Sequence, residues 1–573
     1  MLLIMSKYRQ KVISVILALF FVISGCNQPD MNSNSVVWEN TLPQQEAVNQ
    51  EEIETGFGSQ GYVRSATYFS DEWPMNFWNS DMDDLDQELL QIKRDGFDSI
   101  ILIIPWREFQ PEIEPVVFNE KAFDSLKEVM EAARNCGLDV YVRIGYTWDY
   151  HNDAEGSIIE RFWNLLSDET TNKAWYEYVK KLYDELSRYN NFKAGFITWE
   201  DFWNILGMCD GNILSRRSGA KKIGYIAWTA QNYTLEAYNE RYGTGFRRYE
   251  DIVIPKRDEP AMFSMYEFYD DFMNSLLKQS QKVFPNLSME VRLDWDSVAD
   301  REGETEYYKH NSTFSCVDAG FTATMYGIPM GFENIGEKVS YEEAMEKTEY
   351  ILRQLKAGNG DKPVYIEQFI FADNTPKFSY NAQIEEDQID DYLENISSIL
   401  LENSEGYGIW TYRNYCTNMI YNSQFALEME GWGKRGKVDV ENWKDTNVCV
   451  MKRGSGINQK VARSRDHFGG DVYKFEIEVK QIREPGKILV KMGGVKKEID
   501  ITEAGIYSLD MEPWVKLNFN IDITTECDIV IDNIKLYSQI QEGYLYDVNN
   551  NELDCMRSLR VLNAQLGDNV GDR

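Results

Sequence analysis

Two glutamates stand where a buried charge needs a reason. Glu200 closes the run Thr198-Trp199-Glu200 and Glu367 closes Val364-Tyr365-Ile366-Glu367, each at the end of an apolar segment that reads as a strand. An ionised carboxylate in such a place is costly unless it is paired or put to use. A single one is explained by a salt bridge or a helix cap, whereas two at the ends of different strands admit a shared chemistry. One carboxyl group gives a proton to a leaving oxygen and the other attacks carbon. Cleavage of a glycosidic bond with retention divides the work in this way, with the two groups about 5–5.5 Å apart. The chain has three scattered histidines (His151, His310, His467) and no Cys-x-x-Cys pair, so no structural zinc site is expected.

Holding such a pair in place requires several strands that end on one side of a sheet. From residue 61 to 417 short apolar runs alternate with amphipathic stretches of helical period, the pattern of a parallel sheet with crossover helices. Strands are predicted at 62–69, 99–105, 138–146, 193–200, 288–294, 319–326, 363–369 and 406–412. The second is continuous hydrophobe, as in a strand covered on both faces. Helices are predicted at 81–95, 120–135 and 172–189, and Gly96 and Gly137 stop the first two. Eight strands with helical crossovers predict an α/β fold of the (β/α)8 barrel (TIM barrel) type, in which chemistry comes from strand C-termini. An open doubly wound sheet is the alternative, although no Gly-x-Gly-x-x-Gly loop follows the first strand. In barrel numbering, Glu200 ends strand four and Glu367 strand seven.

On those residues and strand positions the chain resembles glycoside hydrolase clan A, the retaining TIM-barrel glycosidases, with likeness to family 5 and to family-42-like members. The resemblance spans about residues 61–415 and implies Glu200 as acid/base and Glu367 as nucleophile. It further implies a β-linked poly- or oligosaccharide as substrate and no metal or organic cofactor. The chain departs from the clan at Trp199, where an Asn usually precedes the acid/base and contacts the sugar 2-hydroxyl. Tyr326, ending strand six, matches the place of a residue that orients the nucleophile, or else is a rim aromatic. Residues 225–255, with Trp228 and Tyr242-Gly243-Thr244, resemble a helix and turn of family-42-like β-galactosidases, and also read as a helix, a glycine cap and a surface loop.

Aromatic residues make up 13% of the chain, with 15 Trp, and six of these fall at predicted strand ends or their rim: Trp106, Trp148, Trp199, Trp203, Trp295 and Trp410. Indole faces stack on the C–H faces of sugar rings, so these six with Tyr326 are candidate substrate contacts, the alternative for each being a place in the core. By likeness to clan A, Trp410 is the expected platform beneath the reacting sugar. Arg107 and Arg143, after or within strands two and three, are candidates to keep the nucleophile ionised, or else form ordinary barrel ion pairs.

The two ends of the chain read differently. Lys7, Arg9 and Lys11 precede an apolar run at 12–23, the pattern of an export signal, and Ile23-Ser24-Gly25-Cys26 resembles a bacterial lipobox with Cys26 as the lipidated residue. Localisation at the cell surface on a membrane lipid anchor is expected, with residues 27–60 as a flexible tether. An ordinary signal peptide is the alternative. Residues 418–540 alternate with period two and resemble jelly-roll carbohydrate-binding modules, an all-β sandwich that often holds a structural calcium, here without assigned ligands. A purely structural appendage is the other reading, and residues 541–573 are expected to form a polar, weakly ordered tail. Cys449 and Cys527 could pair within the sandwich.

A formal charge of −35 argues against nucleic acid as a partner, and a 43% hydrophobic content argues against disorder. Two functional alternatives stay open: a carbohydrate-binding surface lipoprotein without catalysis, and a transglycosylase using the same carboxylates.

Overall fold

Eight short apolar runs become eight parallel strands. They are β1 (Val63–Thr67), β2 (Ser99–Pro105), β3 (Asp139–Gly145), β4 (Phe192–Ile197), β5 (Leu287–Met289), β6 (Thr322–Gly327), β7 (Val364–Ile370) and β8 (Gly406–Ile409). The computed structural model describes residues 57, 61–80, 82, 84–145, 158–198, 202–291, 297–299, 305–307, 322–327, 337–359, 362–371, 382–443, 446–462, 470–515, 518–541 and 545–568. The strands hydrogen-bond in the order β6-β7-β8-β1-β2-β3-β4-β5. That is the cyclic order of a (β/α)8 barrel opened between β5 and β6, and these two edge strands lie side by side.

Helices α1 (Leu85–Arg94), α2 (Glu120–Asn135) and α3 (Glu169–Leu186) follow the first three strands. Later crossovers use α4 (Met262–Gln281), α5 (Tyr341–Gly358), α6 (Ile389–Asn395) and α7 (Ser397–Asn403). Each starts where its sequence supplies a cap or an apolar stripe. Asn119 accepts from the Ala122 amide, Asp168 from Thr171, and Ser340 with Glu343 makes a reciprocal capping box. Leu85, Leu89 and Ile92 give α1 one buried face. Gly96 and Gly137 follow α1 and α2 with positive φ, as the glycine stops predicted.

Two apolar layers result. The outer one joins Ile100, Leu102 and Ile104 of β2 to the helices. The inner one gathers Val63, Ile101, Tyr141, Ala194, Phe196 and Tyr365 from five different strands, which meet only inside the barrel. Phe57, in the segment expected to be a tether, joins that layer, with its ring 5.3 Å from Tyr141 and 5.2 Å from Tyr365.

After the barrel come two five-stranded antiparallel sheets that share one core. One runs in the order Gly433–Arg435, Gly456–Val461, Phe519–Thr525, Gly486–Met492, Val495–Ile501. The other runs Val438–Trp443, Thr446–Met451, Ile529–Tyr537, Tyr473–Ile482, Gly505–Met511. Buried Tyr473, Phe475, Ile477 and Val479 show the period of two that the sequence carries. Lys535 of this sandwich reaches the barrel, 3.1 Å from Asp71 and 3.3 Å from Glu72.

Two expectations are corrected. Residues 541–573 do not simply trail off, because α8 (Met556–Asp568) packs back on the barrel and places Met556, Leu559, Leu562 and Leu566 in its outer core. Arg560 and Tyr546 both bond Asp95, at 2.7 and 2.9 Å. Cys449 and Cys527 are not bridged; both are free thiols. Burial pushes the Cys449 thiol up to about 12, as suits a core residue.

Cys26, the signal segment and nearly all of the expected tether lie outside the described residues. Among the described residues no helix is long and apolar enough to cross a membrane, and no cluster of three or more His, Cys, Asp or Glu is placed to hold a metal.

Candidate active site

Alternation along a strand decides which side chains reach the barrel interior. Tyr141, Phe196 and Tyr365 lie in the inner layer, so Arg143, Thr198 and Glu367, two residues further on, form the next layer towards the strand C-termini. On β5 the outer-core residues Leu287 and Met289 leave Ser288 and Glu290 facing inward. Arg143, Thr198, Glu290 and Glu367 are each at most 1% exposed.

These four side chains meet. Arg143 Nη1 lies 3.6 Å from Glu367 Oε2, and its Nη2 lies 3.4 Å from Glu290 Oε2. Nη2 also donates to Thr198 Oγ1 at 2.9 Å, and that hydroxyl donates to Glu290 Oε2 at 2.8 Å. One guanidinium is therefore shared by two buried carboxylates, and its charge favours the ionised form of each.

Glu367 owes its place to an irregularity in β7. Against β6 the register passes from Thr324↔Ile366 to Met325↔Gln368, and against β8 from Ile366↔Tyr407 to Phe369↔Ile409. On both sides one residue of β7 is extra, which defines a β-bulge at Glu367-Gln368. The packing agrees: Ile366 and Phe369, three apart, both lie in the outer core, which an unbroken period of two forbids. Gly408 faces the bulge. A Cβ there would strike the end of the Ile101 side chain and lie 3.1 Å from the Glu367 carbonyl oxygen, so glycine eases the close approach of the two backbones. Beneath the bulge the Tyr365 hydroxyl donates to Ser65 at 2.6 Å, and burial holds that phenol well above its usual range.

Beside this cluster, half-buried Trp410 follows β8, its amide bonded to the Phe369 carbonyl. Its ring stands 5.7 Å from Phe69 and 6.2 Å from Trp73, and Trp73 stacks on Tyr415 at 5.4 Å. The group forms an aromatic wall at the end of β1 and β8.

The remaining predicted residues divide into three sets. Trp106 is fully buried away from the cluster, edge-on to Trp175 at 5.1 Å and bonded through its indole N–H to Gln110. Its assignment as a substrate contact is thus corrected: residues 106–109 start a short helix directly after Pro105, and that turn carries the indole outward against α3. Arg107 is buried on the same helix. Tyr326 is placed in β6 and Trp203 in the helix Phe202–Cys209 by backbone alone. Glu200, Trp148, Trp199 and Trp295 lie outside the described residues, with Glu200 two positions beyond Thr198.

The sequence reading missed Glu290, Thr198 and Trp73. The signal for Glu290 was the one that marked the other glutamates, a carboxylate closing an apolar run, Leu287-Ser288-Met289-Glu290, but a strand drawn to 294 hid it. The stretch compared with family-42-like enzymes forms the helices Tyr225–Asn232 and Leu235–Tyr242, the second capped by left-handed Gly243, with Tyr225 and Tyr238 buried and hydrogen-bonded to each other.

No family model and no curated protein matches the chain. Solved structures similar to it include a GH5_18 protein from Bifidobacterium longum subsp. longum, at 16% identity, covering 62% of this chain and 71% of that one, with a TM-score of 0.38. An exo-beta-1,4-mannosidase from Opitutaceae bacterium strain TAV5 aligns at 11% identity over 63% of this chain and 55% of its own, with a TM-score of 0.38. A beta-glycosidase aligns at 15% identity over 63% and 88%, with a TM-score of 0.37.

Proposed function

We propose that the chain is a retaining β-glycoside hydrolase of the clan A type, acting on β-linked poly- or oligosaccharides of glucan, mannan or galactoside kind. The observation that carries this reading is Glu367, turned into the top of a barrel by a bulge in β7 and faced by the Arg143 guanidinium. A carboxylate placed in this way faces a cation that favours its charged form and is directed, as a nucleophile needs to be. Glu200 donates a proton to the glycosidic oxygen while Glu367 attacks the anomeric carbon and breaks the bond to the leaving group. The glycosyl ester on Glu367 is then released by water, from which Glu200 takes a proton. Neither step calls for a metal or an organic cofactor. Trp410, with Phe69, Trp73 and Tyr415 behind it, supplies the face on which the sugar stacks.

The sandwich is read as a jelly roll beside the barrel. Numbered in chain order, strands three to ten of the sandwich lie as 3-10-5-8 in one sheet and 4-9-6-7 in the other, which supports two interleaved Greek keys. Lipidation at Cys26 places the enzyme at a bacterial cell surface.

Replacement tests the reading. Glu367→Ala is expected to abolish hydrolysis of aryl β-glucosides, β-mannosides and β-galactosides while sugar binding is retained, and wild-type turnover by this variant overturns the assignment. A wild-type protein that binds sugars and hydrolyses none of the panel favours the non-catalytic alternative.

A further inference from the structure

We infer that Glu290 is a positioning residue for Glu367: directly and through Thr198 it holds the Arg143 guanidinium, and so sets the charge that Glu367 faces. The inference rests on the glycosidase reading of Glu367. Glu290 is fully buried, where an apolar residue of its size would be accommodated more cheaply. Its place is explained by what it holds. Thr198 Oγ1 donates to Glu290 Oε2 at 2.8 Å and accepts from Arg143 Nη2 at 2.9 Å, so the carboxylate, the hydroxyl and one edge of the guanidinium close a ring. A guanidinium is planar, and fixing its Nη2 edge aims Nη1. That second edge lies 3.6 Å from Glu367 Oε2.

The ring has an electrostatic consequence. The titratable and charged groups that the described residues bring towards Glu367 include Arg143 from β3, Glu290 from β5 and Tyr365 on its own strand. Arg143 divides its charge between two carboxylates, so Glu290 weakens the hold of the cation on Glu367 and raises the proton affinity of that nucleophile. Neutralising Glu290 leaves more of the guanidinium charge to Glu367.

Glu290→Gln keeps the shape and removes the charge. The acid limb of its kcat/KM profile against pH is expected to move to lower pH by about 0.5–1 unit, the direction given by loss of a like-charged neighbour. Because the ring is weakened, kcat falls by on the order of 10-fold with KM within about twofold. An acid limb that coincides with that of the wild type, with activity scaled equally at every pH, overturns the inference. If Glu290→Gln shows no cooperative thermal transition, Thr198→Val replaces it: a 10-fold fall in kcat at constant KM supports the role, and wild-type kcat refutes it. Should the wild type turn over no β-glycoside, the glycosidase reading fails by itself. Infrared titration of the Glu367 carboxyl, isolated by subtracting Glu367→Gln, then decides on Glu290: a midpoint lower in Glu290→Gln supports the inference, and an unchanged midpoint refutes it.

Discussion

Arg143 is the cation that the described residues give to the buried cluster with Thr198, Glu290 and Glu367, with Nη atoms 3.4 and 3.6 Å from two carboxylates that are themselves at most 1% exposed. Arg143→Met removes the cation and leaves both charges buried. A loss of about 3–5 kcal/mol in unfolding free energy is expected from urea titration at neutral pH, with recovery towards acid as the carboxylates take up protons. Wild-type stability at neutral pH would contradict the shared ion pair. Glu367 was legible in the sequence because an acidic residue closing an apolar strand is conspicuous. Trp106 was misplaced for a related reason: position at a strand end says nothing about whether the next turn carries a side chain inward or outward, and here the helix starting after Pro105 carries it out. Glu290 went unread because β5 is only three residues long and its apolar run was drawn too far.

At the scale of elements, the bulge in β7 and the glycine opposite it act together. Gly408→Ala places a methyl group against Ile101 and the Glu367 carbonyl, and overpacking of this kind costs about 1–3 kcal/mol. Its kcat is expected to fall further than that of a variant equally destabilised elsewhere, since the displaced backbone carries the proposed nucleophile; chemical denaturation and steady-state kinetics on the same sample separate the two effects. A bulge leaves no mark on the hydrophobic pattern beyond one phase slip, so β7 was found at 363–369 but its irregularity was not. Helix α8 shows the opposite case. Met556, Leu559, Leu562 and Leu566 carry a helical stripe, and the polar composition around them masked it. Leu562→Ala, at a fully buried position, is expected to cost about 2–5 kcal/mol of unfolding free energy.

For the whole molecule, the barrel is finished by a segment that follows the sandwich. The chain leaves the barrel after β8, builds the two antiparallel sheets, and returns through Tyr546 and α8 to Asp95 and Arg64 on the barrel. Domain boundaries drawn from composition at 417 and 540 miss this return, because long-range packing has no local signature. Truncation after residue 540 is therefore expected to lower the apparent Tm of the barrel or leave it insoluble, although every β-strand of the barrel and every catalytic candidate is retained. A truncated chain with the wild-type Tm would show α8 to be dispensable. The charge of −35 plays its part at this scale only, disfavouring contact with polyanions.

Covalent labelling tests the nucleophile most directly. Incubation with 2-deoxy-2-fluoro-β-glucosyl, -mannosyl and -galactosyl fluorides traps a glycosyl ester when the leaving group departs faster than the ester is hydrolysed. Peptide mass spectrometry is expected to find one adduct, on Glu367, and none in Glu367→Gln. Hydrolysis of the matching β-glycoside by a protein that accumulates no adduct, or an adduct on another carboxylate, would contradict the assignment of Glu367.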